Sequence, residues 1–370
     1  SYSVTGVQTC ALPICWKGQD VCVEGGDDEE ALARGASEAW RRHRLRNSQV
    51  APLSLYDERN TGDNSPLAAE LFSCPGDAYR FLFIAKGGGS SNKTALFQET
   101  KALLKPSAFE AFLAQAIGRL GVSACPPYRI ALAIGGQSPE EALLAAKLAS
   151  CGALDALPRA ATGNTGGAHA NGVYRDAEAE LLAVRIAERS GWGAQFGGPA
   201  MARDARVVRL PRHAASLPVA LAVSCVAHRQ AVAYADRTGF YLERLARAED
   251  ICLIRASAAI ADGPVDIGAS TRRLDLAYGM EAPRDLKAGD MVTLHGPVVL
   301  ARDAAHSRLA AMLERGEELP DWTRYPVFYA SPTETPEGAV MGSIGPTTSR
   351  RMDSYRSEEH TSELQSPNTI

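Results

Sequence analysis

The sequence predicts an α/β protein with a larger N-terminal α/β domain and a smaller β-rich C-terminal domain. Its 370 residues exceed what one small core needs, which favours two domains. Up to about residue 262, short apolar runs typical of strands alternate with amphipathic helical patterns. From residue 263 onward, strand-like runs separated by glycine and proline turns predominate. We therefore expect strands and helices in layers first, followed by a β-rich unit.

The N-terminal pattern contains two buried strands and two helices with clear ends. Residues 81–85 and 129–136 read as strands that finish at glycine turns. Ser138 and Glu141 form a capping box that begins a helix continuing to about residue 150. A second helix is predicted from near Asp176 to Gly191. Strand, tight turn and helix in succession commonly create a rim that receives anions.

The C-terminal pattern predicts strands within residues 265–276, 290–303 and 325–331, with one helix within 304–317. The domains are expected to span residues 16–255 and 266–355, joined by a linker at 256–265. Residues 1–15 and 356–370 resemble translated sequencing-adapter reads and are predicted to be a foreign leader and tail. We therefore leave both segments out of the fold, and expect Cys10 and Cys15 to have no function.

Composition and charge limit the kinds of molecule that this protein is expected to bind. The chain is 45% hydrophobic and 22% charged, which is ordinary for a globular protein. Nucleic-acid-binding proteins carry basic stripes, whereas the net charge here is -4. No run of about 18 apolar residues occurs, which is the length a membrane-spanning helix needs. We expect neither a nucleic-acid partner nor a membrane partner.

Cysteine spacing argues against a disulfide framework and a zinc ribbon, because no CxxC pair occurs. Widely spaced single cysteines can still meet in space to hold an iron–sulfur cluster. The eight cysteines are Cys10, Cys15, Cys22, Cys74, Cys125, Cys151, Cys225 and Cys252.

Three stretches concentrate unusual chemistry, at residues 84–104, 205–225 and 329–355. Each joins a glycine- or proline-rich turn to cations, hydroxyls or a thiol. The first contains Gly88–Thr94, GGSSNKT, which approaches the end of a phosphate-binding P-loop. That motif requires glycine where Asn92 stands, and no following strand ending in a magnesium-binding aspartate is evident. A nucleotide-binding module around Gly88–Thr94 therefore remains the alternative function.

Read in order from Trp16 to Tyr355, these stretches resemble the iron–sulfur (class I) fumarases, which reversibly hydrate fumarate to malate in the tricarboxylic acid cycle. The tartrate dehydratases are close relatives that divide the two domains between two subunits, so one continuous chain favours a fumarase. The resemblance implies a C-terminal domain that swivels over the first, a homodimer, a cytoplasmic location and a small dicarboxylate substrate.

The resemblance also implies a 4Fe–4S cluster. Cys125 in SACPPYRI and Cys225 in AVSCVAHR match the second and third cluster ligands of the family. Thiolates suit iron because they are soft, anionic ligands. The first family ligand lies in a CQDTG segment upstream of the stretch that begins at Lys17, and this segment is not found here. The chain as written is therefore expected to be an inactive fragment whose third ligand is missing.

Six further residues match substrate-binding or catalytic positions of the family. Planar guanidinium groups pair bidentately with carboxylates, and a backbone amide can hold another carboxylate oxygen. Threonine is a poor base unless its proton is passed on or Arg351 stabilises the alkoxide. All six, together with Cys125 and Cys225, are expected to converge on one cleft between the domains. The implied substrate-binding residues are Arg46, Gly89, Arg302 and Arg351, and the implied catalytic residues are Thr347 and His213.

Overall fold

The structure is a computed structural model that describes residues 9–11, 13–22, 26–43, 45, 47–160, 172–193, 200–225, 229–244, 272–277, 286, 292–332, 335, 337–338, 340–341 and 344–346. None of the helices in these ranges is long and apolar enough to cross a membrane.

The strands of the N-terminal part are β1 (Thr9–Ala11), β2 (Ile14–Gly18), β3 (Val50–Pro52), β4 (Glu58–Asn60), β5 (Glu70–Cys74), β6 (Tyr79–Gly87), β7 (Ala95–Glu99), β8 (Tyr128–Gly136), β9 (Arg159–Ala160), β10 (Tyr174–Asp176), β11 (Ala202–Arg212), β12 (Leu217–Ser224), β13 (Arg229–Asp236) and β14 (Gly239–Leu242). The helices are α1 (Asp28–Arg42), α2 (Gly88–Ser91), α3 (Pro106–Gly118), α4 (Pro139–Ser150) and α5 (Ala177–Arg189), with a 3₁₀ turn at Lys101–Leu104.

Two sheets organise this part. The first sheet has the order β14-β13-β6-β2-β5, and β1 also pairs with β6. The second sheet has the order β7-β12-β8-β11-β10-β9. Its centre is β8, which runs parallel to β11 and antiparallel to β12. Every residue of β12 is buried, as expected for a strand covered on both faces.

Helix α4 lies between the two sheets. Its alanines, among them Ala142 and Ala146, pack on the second sheet against small residues such as Ala131 and Ala220. Its opposite side, with Leu144 and Leu148, packs against the first sheet. Alanine lets a helix approach a sheet closely, so this composition draws the two sheets into one layered core. Helices α3 and α5 cover the other face of the second sheet.

In the described residues of the C-terminal part, the elements are short strands and one helix, which fits the smaller β-rich unit that the sequence predicts. The swivelling of this domain over the N-terminal domain stays a prediction. The elements are β15 (Arg272–Asp275), β16 (Val292–His295), β17 (Val299–Leu300), α6 (Asp303–Glu314), a 3₁₀ turn (Asp321–Arg324), β18 (Val327–Phe328), β19 (Ala330–Pro332) and β20 (Ile344–Pro346).

The predicted helix starts are confirmed in detail. The Ser138 hydroxyl accepts a hydrogen bond from the Glu141 amide at 3.3 Å, and the Glu141 carboxylate accepts one from the Gln137 amide at 2.6 Å. The Asp176 carboxylate caps α5 by accepting from the Ala179 amide at 3.1 Å. Local hydrogen bonding therefore sets both helix ends, as the sequence indicates.

Part of the segment assigned to a foreign leader lies inside the first sheet. Strand β2 begins at Ile14, which is 0% exposed, and Cys15 is 1% exposed. Burial raises the pKa of the Cys15 thiol to about 11, so this thiol stays protonated at neutral pH. The domain boundaries, including the one at residue 15, stay predictions. The predicted linker at residues 256–265 and the tail at 356–370 lie outside the described residues.

Candidate active site

The glycine-rich turn after β6 packs against the loop that carries Cys125. Gly87 leads directly into the single turn of α2. A Cβ atom on Gly89 would lie 3.1 Å from the Ser123 carbonyl oxygen and 3.3 Å from the Ala124 Cα atom. Both neighbours are backbone atoms and cannot swing away. Glycine is therefore needed for the close approach, and this approach brings Gly89 beside Cys125.

Cys125 is held in an uncommon backbone conformation. Its φ angle of 64° lies in the left-handed region, which non-glycine residues seldom adopt. Its amide donates to the Val122 carbonyl at 3.1 Å. Such conformations persist where surrounding structure enforces them, and they concentrate at functional sites.

Tyr128 enforces the conformation of this loop. Its ring is 0% exposed, and its hydroxyl donates to the Gly121 carbonyl at 2.9 Å. The same oxygen accepts from the Ala124 amide at 3.1 Å. One phenol thus ties together both ends of the segment that presents Cys125.

Replacing Tyr128 by phenylalanine should destabilise the protein by about 1–3 kcal/mol, because two buried backbone groups lose their partner. Guanidinium-induced unfolding would measure this loss. The matched control is Tyr56→Phe, since Tyr56 is 89% exposed and its loss should change little. Equal effects for both variants would contradict the role of Tyr128.

Cys225 lies close to the same phenol. It follows the last residue of β12 and is 8% exposed. Burial is the main cause that raises the pKa of Tyr128, and the nearby thiols of Cys125 and Cys225 raise it further. Both thiols therefore lie near enough to Tyr128 to act electrostatically on its hydroxyl.

A buried lysine borders this edge. Lys86 precedes the glycine turn, is 3% exposed, and donates from Nζ to the Ser150 hydroxyl at 3.2 Å. Burial lowers the pKa of Lys86 to about 8, while the thiols of Cys151 and Cys225 act in the opposite direction. Sequence patterns alone gave Lys86 no role. The signal was present, because Lys86 falls on the same strand face as Leu82 and Ile84.

His213 lies at the other end of the second sheet. It follows β11, whose last residue pairs with Gly136 at the end of β8, whereas Ser224 next to Cys225 pairs with Arg129 near the start of β8. With about 3.3 Å per strand residue, these ends are roughly 25 Å apart. His213 is exposed, and its Nδ1 accepts from the Ala215 amide at 3.2 Å. The structure does not bring His213 to the two cysteines within this chain.

Arg302 belongs to the C-terminal part. It stands just before α6 and is 8% exposed. Its carbonyl accepts from the His306 amide at 3.0 Å, and the His306 ring packs edge-on against Tyr329. Three other expected site residues, Arg46, Thr347 and Arg351, lie outside the described residues. Of the eight, Gly89 packs against the loop that leads to Cys125, and Cys125 and Cys225 both act electrostatically on Tyr128, while the predicted convergence of all eight on one cleft stays a prediction.

The segment Gly88–Thr94 does not have the architecture of a P-loop. The helical turn α2 ends at Ser91, and the chain continues into strand β7. A P-loop instead opens onto a long helix whose N-terminus receives the phosphates. The Ser90 hydroxyl is also engaged locally, donating to the Gly87 carbonyl at 2.9 Å. These features argue against the nucleotide-binding alternative.

The donor set fits part of an iron–sulfur site. The thiols of Cys125 and Cys225 both act electrostatically on Tyr128, and neither belongs to a disulfide. Within the described ranges, no group of three histidine, cysteine or carboxylate side chains could hold a metal ion. The ligand set within these ranges is therefore incomplete for a cluster, and the ligand roles of Cys125 and Cys225 stay predictions.

Comparison with known proteins shows to which family this chain belongs. The family model described as fumarate hydratase matches residues 5–234, and the one described as the fumarase C-terminus matches residues 250–365. The chain belongs to the fumarate hydratase family. Both matched ranges extend into the end segments that resemble adapter reads.

Curated fumarate hydratases resemble this chain along most of its length. It is 45% identical over 345 residues to fumarate hydratase 2 of Leishmania major, which covers 92% of this chain. It is 43% identical over 349 residues to the aerobic class I fumarate hydratase of Escherichia coli K12. The chain spans 58% of the first relative's length and 62% of the second's.

Tartrate dehydratases match less of the chain. The putative L(+)-tartrate dehydratase alpha subunit of Methanocaldococcus jannaschii is 30% identical over 210 residues, and its beta subunit is 40% identical over 78 residues. The two tartrate dehydratase matches are separate alpha and beta subunits, whereas both fumarase regions occur here in one chain. The fumarate hydratase assignment is therefore favoured.

Gly89→Ala should destabilise this fumarate hydratase chain by roughly 1–3 kcal/mol, because the added methyl would press on fixed backbone atoms. Gly35→Ala is the matched control. A Cβ there meets nothing within 4 Å, and Gly35 is an exposed helix residue. That change should stabilise α1 by up to about 1 kcal/mol. Thermal unfolding of both variants gives the comparison, and a harmless Gly89→Ala would contradict the close approach.

Proposed function

We propose that this chain carries the catalytic core of a class I fumarate hydratase, which reversibly adds water to fumarate through a 4Fe–4S cluster. The observations that support the proposal are the close packing of Gly89 on the loop that leads to Cys125 and the electrostatic effect of the Cys125 and Cys225 thiols on Tyr128. In the proposal, these thiols bind iron and the Gly89 amide binds an anion. Identity to class I fumarate hydratases over most of the chain supports the same reaction.

In this proposal Cys125 and Cys225 hold the cluster. When bound, the cluster supplies a Lewis-acidic iron that makes hydroxide a better leaving group. The Gly89 amide holds one carboxylate oxygen of the substrate. Its backbone direction is fixed by contact with the Cys125 loop, so the donor is set before substrate arrives.

The remaining roles follow the family motifs. Arg46, Arg302 and Arg351 bind the carboxylates, because a guanidinium fork matches a carboxylate in two parallel hydrogen bonds. Thr347 takes the proton from the carbon next to the leaving hydroxyl, with Arg351 stabilising its oxygen. His213 is proposed to assist catalysis. Its exposed turn, far from Cys225 in the same chain, does not support that role.

Further proposals concern the organisation of the protein. The N-terminal cluster-binding domain spans residues 16–255 and the C-terminal domain spans 266–355, with residues 256–265 as linker. The protein works as a homodimer in the reducing cytoplasm, where an exposed iron is protected from oxygen. A small dicarboxylate, fumarate or malate, is the substrate.

Anaerobic reconstitution of the full chain with iron and sulfide tests the function. We expect a brown product with absorbance near 400 nm that is stabilised against heat by malate, because a ligand that binds the folded state raises the unfolding temperature. Fumarate consumption, followed by its ultraviolet absorbance, is expected only after the family's CQDTG segment is restored, because the chain as written lacks the third cluster ligand. Stabilisation by ATP without iron uptake would instead support the nucleotide-binding alternative and contradict this proposal.

A further inference from the structure

A cavity of about 340 Å³ opens between α3, α5 and strand β11. This volume falls within the range of pockets that hold small organic molecules. Its walls come from the start of α3 and from one side of α5, and they include the apolar side chains of Phe109 and Leu182. Both side chains also pack against the core beneath the two helices. The cavity is therefore part of the helix layer that covers the second sheet.

Three cationic side chains line the same cavity, those of Lys105, Arg185 and Arg209. Arg209 has the most unusual position, because it lies on the face of β11 that also carries the core residues Ala205 and Val207. Its side chain is partly buried. In the part of the chain that the structure describes, no carboxylate forms an ion pair with any of the three cations. An arginine that only packed there would be replaced more favourably by an apolar residue.

The carboxylates that line the cavity have other partners or face solvent. The Asp176 carboxylate accepts a hydrogen bond from the Ala179 amide at 3.1 Å and so caps α5. Glu110 lies 3.8 Å from Arg189, which is not among the residues that line the cavity. Glu178 is exposed to solvent. The donors of the three cations therefore remain available to an anion that enters the cavity.

The cavity is separated from the site proposed for fumarate. Arg209 pairs across the second sheet with Ile134 of β8, whereas Ser224, next to Cys225, pairs with Arg129. At about 3.3 Å per strand residue, these two positions on β8 are roughly 17 Å apart. A ligand in the cavity would therefore be bound independently of the cysteines.

We propose that this cavity binds a small organic carboxylate with an apolar body. The carboxylate pairs with the guanidinium groups of Arg209 and Arg185, since a guanidinium fork matches a carboxylate in two parallel hydrogen bonds. The apolar body lies against Phe109 and Leu182, where it is removed from water. Binding here needs neither an iron–sulfur cluster nor the fumarate site.

Phenylacetate is the probe that tests this site, and ligand-observed NMR with the full chain measures its binding. Ligands of about ten non-hydrogen atoms reach a Kd of about 1 mM. Arg209→Met and Arg185→Met should each weaken binding about tenfold, because each variant loses charge-assisted hydrogen bonds. Arg185 is exposed on α5, so its replacement tests the site even where Arg209→Met lowers stability.

Arg203→Met is the matched control. Arg203 also lies on β11, but its side chain is 63% exposed and is 3.5 Å from Asp204. This variant should bind phenylacetate as tightly as the unmodified chain does. Equal affinities of Arg185→Met and Arg203→Met for phenylacetate would overturn the inference.

An uncharged analogue separates the role of charge from that of apolar contact. 2-Phenylethanol keeps the ring and the two-carbon chain but has no carboxylate, so it should bind about tenfold more weakly than phenylacetate. Equal binding of the two compounds would show that the cations take no part. Absence of phenylacetate binding to the unmodified chain at concentrations well above the expected Kd would also overturn the inference, and would leave the proposed function untouched.

Discussion

Replacing Cys225 by serine is expected to abolish the absorbance near 400 nm of the reconstituted protein and to remove nearly all of its bound iron. Cys225 is almost fully buried beside Tyr128 and Lys86, so solvent thiols cannot easily take its place. Serine is a hard, poorly acidic oxygen ligand that iron–sulfur clusters bind weakly compared with thiolate. Cys125→Ser is expected to give the same result. Iron and sulfide analysis after anaerobic reconstitution measures both variants.

Cys22→Ser provides the control for these two changes. Cys22 is exposed and outside the family motifs, so its replacement should leave iron content and absorbance unchanged. Retention of a full cluster by Cys225→Ser would mean that the cluster is held elsewhere. The ligand assignment would then be wrong.

Glu180→Gln is expected to destabilise the N-terminal part by about 3–5 kcal/mol, because it takes the bidentate carboxylate away from a buried guanidinium, which keeps only a longer 3.6 Å contact with Asp155. Glu180 accepts from Arg175 through both carboxylate oxygens, at 2.8 and 3.1 Å. The Arg175 and Glu180 side chains are 7% and 5% exposed. Glu180 also accepts from Arg159 at 3.0 Å and lies 3.4 Å from the Val207 amide, so it ties α5 to β11.

Denaturant unfolding followed by circular dichroism measures this effect, with Glu38→Gln as the control. Glu38 pairs with Arg41 and Arg42 on the exposed face of α1. Exposed ion pairs are screened by water and contribute little, so this change should leave the unfolding midpoint unaltered. Similar midpoints for the two variants would show that the buried pair is not a stabilising link.

Sequence reasoning succeeded where local rules control the structure. The strands at residues 81–85 and 129–136 and the starts of α4 and α5 were predicted because apolar periodicity and capping act over a few residues. Gly89, Cys125 and Cys225 were identified as site candidates from motifs, and the structure packs Gly89 on the loop that leads to Cys125. Their roles in binding and catalysis stay predictions.

Other features needed the tertiary structure. The ion pair of Arg175 with Glu180 could not be predicted from the sequence, because many sequences have an arginine and a glutamate near a helix start. The bonds of the Tyr128 hydroxyl to the Gly121–Ala124 loop depend on how that loop folds back. For His213 the sequence motif indicated an active site. The strand order instead places His213 at the end of β8 that is far from Cys225.

The sequence by itself determined the family, the α/β class and the helix ends, and it named candidate ligands for iron, because each is written in short patterns of residue type and spacing. Only the tertiary structure decided which of those residues meet. Whether Cys225 neighbours Cys125, or Lys86 loses its water without gaining a carboxylate, depends on β6, α4 and β12 packing together from distant parts of the chain. Burial and charge compensation arise from that packing, and no local pattern encodes them.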